Sequence, residues 1–507
     1  MKGERGTLSG SKVGISAAAM IAAFMAYLDI SIVNVALADI RATFGTPIAQ
    51  IGWVSTGYMM ANIVVIPMTG WLQRRFGYKR YFAFSVLLFT VASAMCGLAW
   101  SFPALVLFRV LQGLGGGAII PTSQAMLLAR FPRSEHGTAT VVFGLGAVSG
   151  PLLGPLVGGF LTSYASWPFV FLINVPFGIA VAILAWRHVE EPSWVRPREP
   201  IDVFGFVLLA VGMPALQYVL EEGQRDGWWD SRTILVVAAV SAIALVTFVV
   251  RELETKNPIV DLRIFKNRTY AAGTALNFLL GMCLFSALYL FSLYCGIAMG
   301  YTAIDTGLVF VLPNAVQLVM LVLVARFVKT NLRALLAMGV ALLAASFWLN
   351  GHLTPNAGYW NLAEPQIVRA LATAFVYIPL ALLALSDLPP LQIGVATGLF
   401  NLTRELGGSI GTAWMSNVVE TRSQVHGVRL AEHVTPYDAA AAMQYEALRR
   451  GGAGRVFDAS GAALEVLDRR IKLQALVHAF NDAFVLLAIV FAAAIGLVLV
   501  MKARRAR

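Results

Sequence analysis

Long apolar runs separated by short polar clusters dominate the chain, falling at about 13–37, 47–71, 80–100, 103–128, 137–162, 168–187, 203–221, 232–250, 270–295, 303–326, 333–351, 363–386, 391–419 and 475–501. Crossing a hydrocarbon core of about 30 Å takes about 20 helical residues. The pattern therefore predicts an all-α integral membrane protein with fourteen spans. Composition agrees: 58% of the 507 residues are hydrophobic and 13% charged, against about 25% charged in soluble domains.

An even number of spans puts both termini on one side, and the basic residues say which. Arg74, Arg75, Lys79 and Arg80, then Arg251, Lys256, Arg263, Lys266 and Arg268, and finally Lys502, Arg504, Arg505 and Arg507 share the termini's side. Only Arg41, Arg225 and Arg232 fall in short connections opposite. By the positive-inside rule both termini are cytoplasmic. The net charge of +11 then reflects topology and anionic lipid contact, and no nucleic-acid partner is expected.

The chain divides into an N-terminal six-helix half (1–190), an inserted pair of helices with polar linkers (191–265) and a C-terminal six-helix half (266–507). The last contains a long exterior segment at about 420–474, which has room for short amphipathic helices. The halves are weakly similar: Arg109-Val110-Leu111 in the fourth helix matches Arg369-Ala370-Leu371 in the twelfth. Repeats of this kind are the usual build of secondary transporters, with the substrate site between the halves.

Asp29 lies within the first apolar run. A carboxylate at bilayer depth costs roughly 2.5–3.5 kcal/mol on insertion scales and marks a functional site by default. The first run is too long for a signal peptide and contains this acid, so it is read as a retained helix. Nothing matches G-x-x-x-x-G-K-[ST], so transport would draw on an ion or substrate gradient. Cys96, Cys283 and Cys295 lack metal spacing. No cofactor or metal is expected, and no soluble catalytic domain is visible.

Three motifs carry more. Gly70-Trp71-Leu72-Gln73-Arg74-Arg75-Phe76-Gly77-Tyr78-Lys79-Arg80 joins the second and third helices. Arg109-Val110-Leu111-Gln112-Gly113 places Arg109, Gln112 and Gly113 on one helix face. Arg109 and Asp29 lie at depths compatible with pairing; the alternative is an arginine tied to backbone carbonyls. Gly146, Gly150, Gly154 and Gly158 recur every fourth residue, with Pro151 and Pro155 between them. Such a stripe permits close helix contact, and the prolines bend the helix.

These motifs, with Leu28-Asp29-Ile30-Ser31-Ile32-Val33-Asn34-Val35 and Asn401-Leu402-Thr403-Arg404-Glu405-Leu406-Gly407-Gly408, resemble the major facilitator superfamily. Within it they are most similar to the fourteen-helix drug:proton antiporters of EmrB/QacA type. The loop motif of that family reads G-x-L-x-D-R-x-G-x-K-R; Arg74 stands here where Asp is usual. The resemblance implies a multi-pass protein of the bacterial inner membrane that exports small hydrophobic compounds in exchange for protons. It assigns proton coupling to Asp29 and Arg109, a cytoplasmic gating loop to Gly70, Arg74, Arg75, Gly77 and Arg80, and an antiporter hinge to the glycine stripe. The long exterior segment favours the EmrB branch, which implies a periplasmic adaptor protein and an outer-membrane channel as partners.

Substrate-cavity candidates are the polar intrahelical residues Asn34, Tyr58, Asn62, Gln112, Asn314, Gln317 and Arg404, with the helix 9 stripe of Phe278, Phe285 and Tyr289. Packing and helix–helix hydrogen bonding compete with that reading at each. His478 and Asp482 form a further pair able to relay protons. An exporter of one metabolite, such as a siderophore, fatty acid or aromatic acid, is the alternative function. A receptor or enzyme reusing the fold would need a soluble domain.

Overall fold

The computed structural model describes residues 2–132, 135–191, 202–223, 226–255, 258–327, 331–435, 437–452 and 459–501. Among them there are fourteen helices of fifteen residues or more and no strand. They are α1 (Lys2–Phe44), α2 (Trp53–Phe76), α3 (Tyr78–Gly97), α4 (Phe102–Arg130), α5 (His136–Tyr164), α6 (Asn174–His188) and α7 (Val203–Glu222). There follow α8 (Arg232–Glu254), α9 (Arg268–Leu293), α10 (Ala303–Phe327), α11 (Leu332–Asn350), α12 (Tyr359–Leu385), α13 (Pro390–His433) and α14 (Ala459–Ala493). Helix is the expected solution, because backbone polar groups in lipid must be satisfied within the segment. Side chains cap several ends: Ser101 accepts from the Ala104 amide, and Asn267 from the Thr269 and Tyr270 amides.

Twelve helical spans among the described residues are long and apolar enough to cross a membrane, and α2 and α13 are not among them. Both carry buried polar side chains, including Asn62, Gln73, Asn401 and Arg404. They also pack against each other, so their polar groups face protein rather than lipid.

The packing repeats with a shift of eight helices. α1 lies on α5 as α9 lies on α13; α2 and α3 flank α4 as α10 and α11 flank α12; α3 meets α6 as α11 meets α14. Across the middle, α2 meets α13 and α5 meets α10. α7 and α8 pair with each other, and α7 rests on α2.

Call the end where α1 begins the near end. Lys12 Nζ lies 2.7 Å from Glu135 Oε2 there. The middle of the bundle is closed on this side. A methyl group at Gly70 would lie 2.6 Å from the Val395 backbone, and one at Gly398 would lie 2.9 Å from the Ile66 carbonyl. Val141, Leu321, Val324, Ala374 and Ile378 form a separate apolar cluster across the other junction.

The far end departs from the sequence boundaries. α13 continues to His433 and α14 begins at Ala459, and the helix Ala439–Gly452 packs on α14. Loss of apolar residues marks where a helix leaves the membrane; it does not stop the helix. Among its described residues, the segment at about 420–474 is therefore mostly two continued helices with one short helix between them.

Candidate functional site

Asp29 on α1 is fully buried. Arg109 Nη1 donates to its Oδ2 at 2.7 Å, while Gln112 Nε2 and Asn174 Nδ2 each donate to Oδ1 at 2.8 Å. Arg109 Nη1 also donates to Gln112 Oε1 at 2.8 Å, and its Nε to the Val54 carbonyl at 2.9 Å. Ser93 Oγ accepts from Gln112 and Asn174 and donates to the Phe171 carbonyl. The Tyr58 ring lies 4.4 Å from the guanidinium carbon. Five helices thus converge on one carboxylate, which takes three donors. This satisfies a buried charge, which is otherwise costly; both readings of Arg109, pairing and backbone anchoring, coexist in one side chain.

The glycine stripe fixes α1 beside this site. A methyl group at Gly146 would lie 2.1 Å from the Met20 carbonyl, one at Gly150 2.7 Å from the Leu28 amide, and one at Gly154 2.5 Å from Ser31 Oγ. Gly158 abuts Ile32 in the same way. Pro151 and Pro155 lie within α5, and both line the central cavity.

Between α2 and α3, Gly77 takes φ +82°, where other residues are strained. Glu191 Oε1 accepts from the Arg80 amide at 3.3 Å, so a carboxylate meets the first turn of α3. Arg75 lies over Trp71 and Phe76. Arg74, the departure from the family motif, ends α2 at the same corner.

A cavity of about 710 Å³ lies between the halves. α1 contributes Tyr27, Ser31 and Asn34; α10 contributes Phe310, Asn314 and Gln317; α12 and α13 contribute Arg369, Tyr377 and Arg404. The lining runs to Gly296, Tyr301 and Thr306 at the far end. Asn34, Phe285, Asn314, Gln317 and Arg404 are thus brought together on one surface. Tyr58 and Gln112 lie instead in the Asp29 cluster. Asn62 lines a small neighbouring pocket with Gln217 and Glu405. Phe278 and Tyr289 are outside the cavity lining: Phe278 packs under Gly407, and the Tyr289 hydroxyl lies 3.3 Å from Ser416 Oγ.

Arg404 Nη2 donates to the Tyr27 hydroxyl at 2.6 Å and to Asn401 Oδ1 at 3.0 Å, and lies 3.8 Å from Glu405. At the far end, Asp482 meets His426 Nε2 at 2.9 Å, and the His426 and His478 rings are 5.5 Å apart. Sequence reasoning paired His478 with Asp482 and missed His426. It also missed Asn174 and Ser93. Each is a lone polar residue in an apolar run, and its only signal is the isolation itself.

Residues 19–412 match the family model described as Major Facilitator Superfamily. The multidrug export protein EmrB of Haemophilus influenzae is 33% identical over 494 residues, covering 97% of this chain and 95% of that protein. The fatty acid resistance protein FarB of Neisseria gonorrhoeae is 32% identical over 483 residues, covering 95% and 94%. Among solved structures, the proton:xylose symporter XylE aligns with a TM-score of 0.62 at 13% identity, covering 95% of each chain, a likeness of fold alone. By its motifs, its helical bundle and these similarities, the chain belongs to the Major Facilitator Superfamily, among the relatives of EmrB.

Proposed function

We propose that the protein is a proton-coupled multidrug efflux permease of a bacterial inner membrane, with both termini cytoplasmic. The observation that carries this reading is the position of Asp29 on α1. The carboxylate sits in a sealed cluster inside one half, while Tyr27, Ser31 and Asn34 of the same helix line the cavity between the halves. Protonation of Asp29 removes the charge that holds Arg109, Gln112 and Asn174 together. A shift of α1 would then be felt at the cavity wall.

In this reading the near end is cytoplasmic and closed, and the cavity faces the periplasm. Residues 1–190 and 266–507 move as two bodies in alternating access, with residues 191–265 inserted between them. The glycine contact of α5 on α1 transmits the movement. The Gly77 corner, with Arg74, Arg75 and Arg80, gates the cytoplasmic side. Kinship to EmrB, a multidrug export protein, supports export as the direction. The continued α13 and α14 offer a surface for a periplasmic adaptor leading to an outer-membrane channel. A second reading, export of one class of metabolite, is favoured by the similarity to FarB.

The test is substrate efflux from proteoliposomes under an imposed pH gradient. Efflux that follows the gradient supports the reading; efflux indifferent to it refutes proton coupling.

A further inference from the structure

The two halves repeat an arginine and its aromatic neighbour, and only one half supplies a carboxylate. A methyl group at Gly150 of α5 would touch the Phe24 carbonyl and the Leu28 amide of α1; one at Gly407 of α13 would touch the Phe278 carbonyl and the Met282 amide of α9. These contacts match Phe24 with Phe278 and Leu28 with Met282, at one common interval in sequence. Asp29, which follows Leu28, then matches Cys283, which follows Met282. On the partner helices, Arg109 of α4 lies 4.4 Å from the Tyr58 ring of α2, and Arg369 of α12 lies 5.4 Å from the Phe310 ring of α10. Arginine and ring are retained; the acid has become a buried thiol whose Sγ lies 4.0 Å from the Leu487 carbonyl.

Arg369 is left with an uncompensated charge. Among the described residues its side chain has no hydrogen bond and no carboxylate within ion-pair distance, and its Nε is buried without a partner; the Thr373 hydroxyl donates to its backbone carbonyl. It lies about 15 Å along α12, at 1.5 Å per residue, and lines the cavity. No Asp or Glu is among the described residues lining that cavity. The other cation there, Arg404, already has Glu405, Asn401 and Tyr27. Asp305, near the cavity mouth, is occupied by the Thr302 amide and hydroxyl. A cation removed from water without a counter-charge is costly, and a guanidinium fork fits a carboxylate or similar oxyanion in two parallel hydrogen bonds. Phe310 lies beside it, and Phe285 and Phe400 line the same cavity.

We propose that Arg369 is the anion-binding residue of the cavity and that the substrates are amphipathic organic anions, an oxyanion on an aromatic or aliphatic body. The proposal rests on the export reading above only for the word substrate; the binding site itself does not depend on it. The bound anion supplies, from the cavity, the counter-charge that Asp29 supplies in the first half.

Equilibrium dialysis of the purified full chain in detergent tests this, using naphthoate, neutral naphthamide and cationic naphthylmethylammonium. Naphthoate should bind at least about tenfold tighter than either, the scale of a charge-assisted hydrogen bond. Arg369→Gln should abolish that preference and Arg369→Lys should retain part of it. Absence of naphthoate binding by the folded wild-type chain would overturn the proposal. So would equal binding of the ammonium, or an unchanged naphthoate-to-naphthamide ratio in Arg369→Gln. Since no gradient is imposed, failure of export beside Arg369-dependent anion binding refutes the export reading alone. Export beside a preference for the cation refutes the anion site alone.

Discussion

Arg109 Nη1 and Asp29 Oδ2 meet at 2.7 Å in a place that neither solvent nor the central cavity reaches; their side chains are 1% and 0% exposed. Removing one member of a buried, hydrogen-bonded ion pair typically costs about 3–5 kcal/mol, because the other is left uncompensated. The singles Asp29→Asn and Arg109→Gln should therefore each lower thermal stability in detergent. The double variant should lose less than their sum by about 1 kcal/mol or more, the size of coupling seen between contacting residues. Additive losses would mean that the two side chains are held independently.

The contact of α5 on α1 gives a prediction with an internal control. A methyl group at Gly150 would lie 2.7 Å from the Leu28 amide and 2.8 Å from the Phe24 carbonyl, whereas nothing lies within 4 Å of one at Gly159. Gly150→Ala should cost about 1–3 kcal/mol, as overpacking does, and should impair transport. Gly159→Ala should stay within about 0.5 kcal/mol of wild type. Melting curves and efflux assays of the two variants check this.

At the near end of α7, Asp202 caps the helix by accepting from the Gly205 amide at 3.0 Å, and pairs with Arg251 Nε at 2.8 Å. Burial alone would push this carboxyl up, but the hydrogen bonds from Arg251 and from the Gly205 amide outweigh it and hold the carboxyl below its ordinary range. A carboxyl depressed in the folded protein adds stability above its unfolded pKa of about 3.9. That stability is lost as pH falls through the lower folded value. The contribution is therefore complete by about pH 6, and Asp202→Asn should lower the melting temperature equally at about pH 5 and about pH 6. A loss that grows between those two values would assign the effect to another group.

The far-end segment gives a partner prediction. Replacing residues 434–458 with a Gly/Ser linker leaves the paired α13 and α14 intact, including the contact of His426 with Asp482 at 2.9 Å. Insertion and proteoliposome efflux should persist while whole-cell resistance falls, if this surface docks an adaptor. Full resistance in the altered chain would remove the partner role.

The helices, the repeat and the proximity of Asp29 to Arg109 were legible in the sequence because each leaves a local or periodic trace. The rest of the cluster was not. Ser93, Gln112 and Asn174 come together through the packing of three different helices, and Ser93 and Asn174 are single polar residues among apolar neighbours. The stripe of Phe278, Phe285 and Tyr289 shows the opposite limit. Its period is real, but α13 covers much of that face: Gly407 lies on Phe278, and Gly411 on Met282. Phe285 enters the cavity lining. Periodicity finds a face of a helix; the neighbouring glycines decide what covers it.

The most direct test of the account is proton-coupled efflux from proteoliposomes, wild type against Asp29→Asn, with correct folding of the variant established by its chromatographic profile and melting curve. The amide keeps the shape of the carboxylate and loses its titration. The account predicts that efflux by the wild type rises and falls with an imposed pH gradient, and that the folded variant shows no gradient-driven efflux. Gradient-driven efflux at wild-type rates in Asp29→Asn would contradict it.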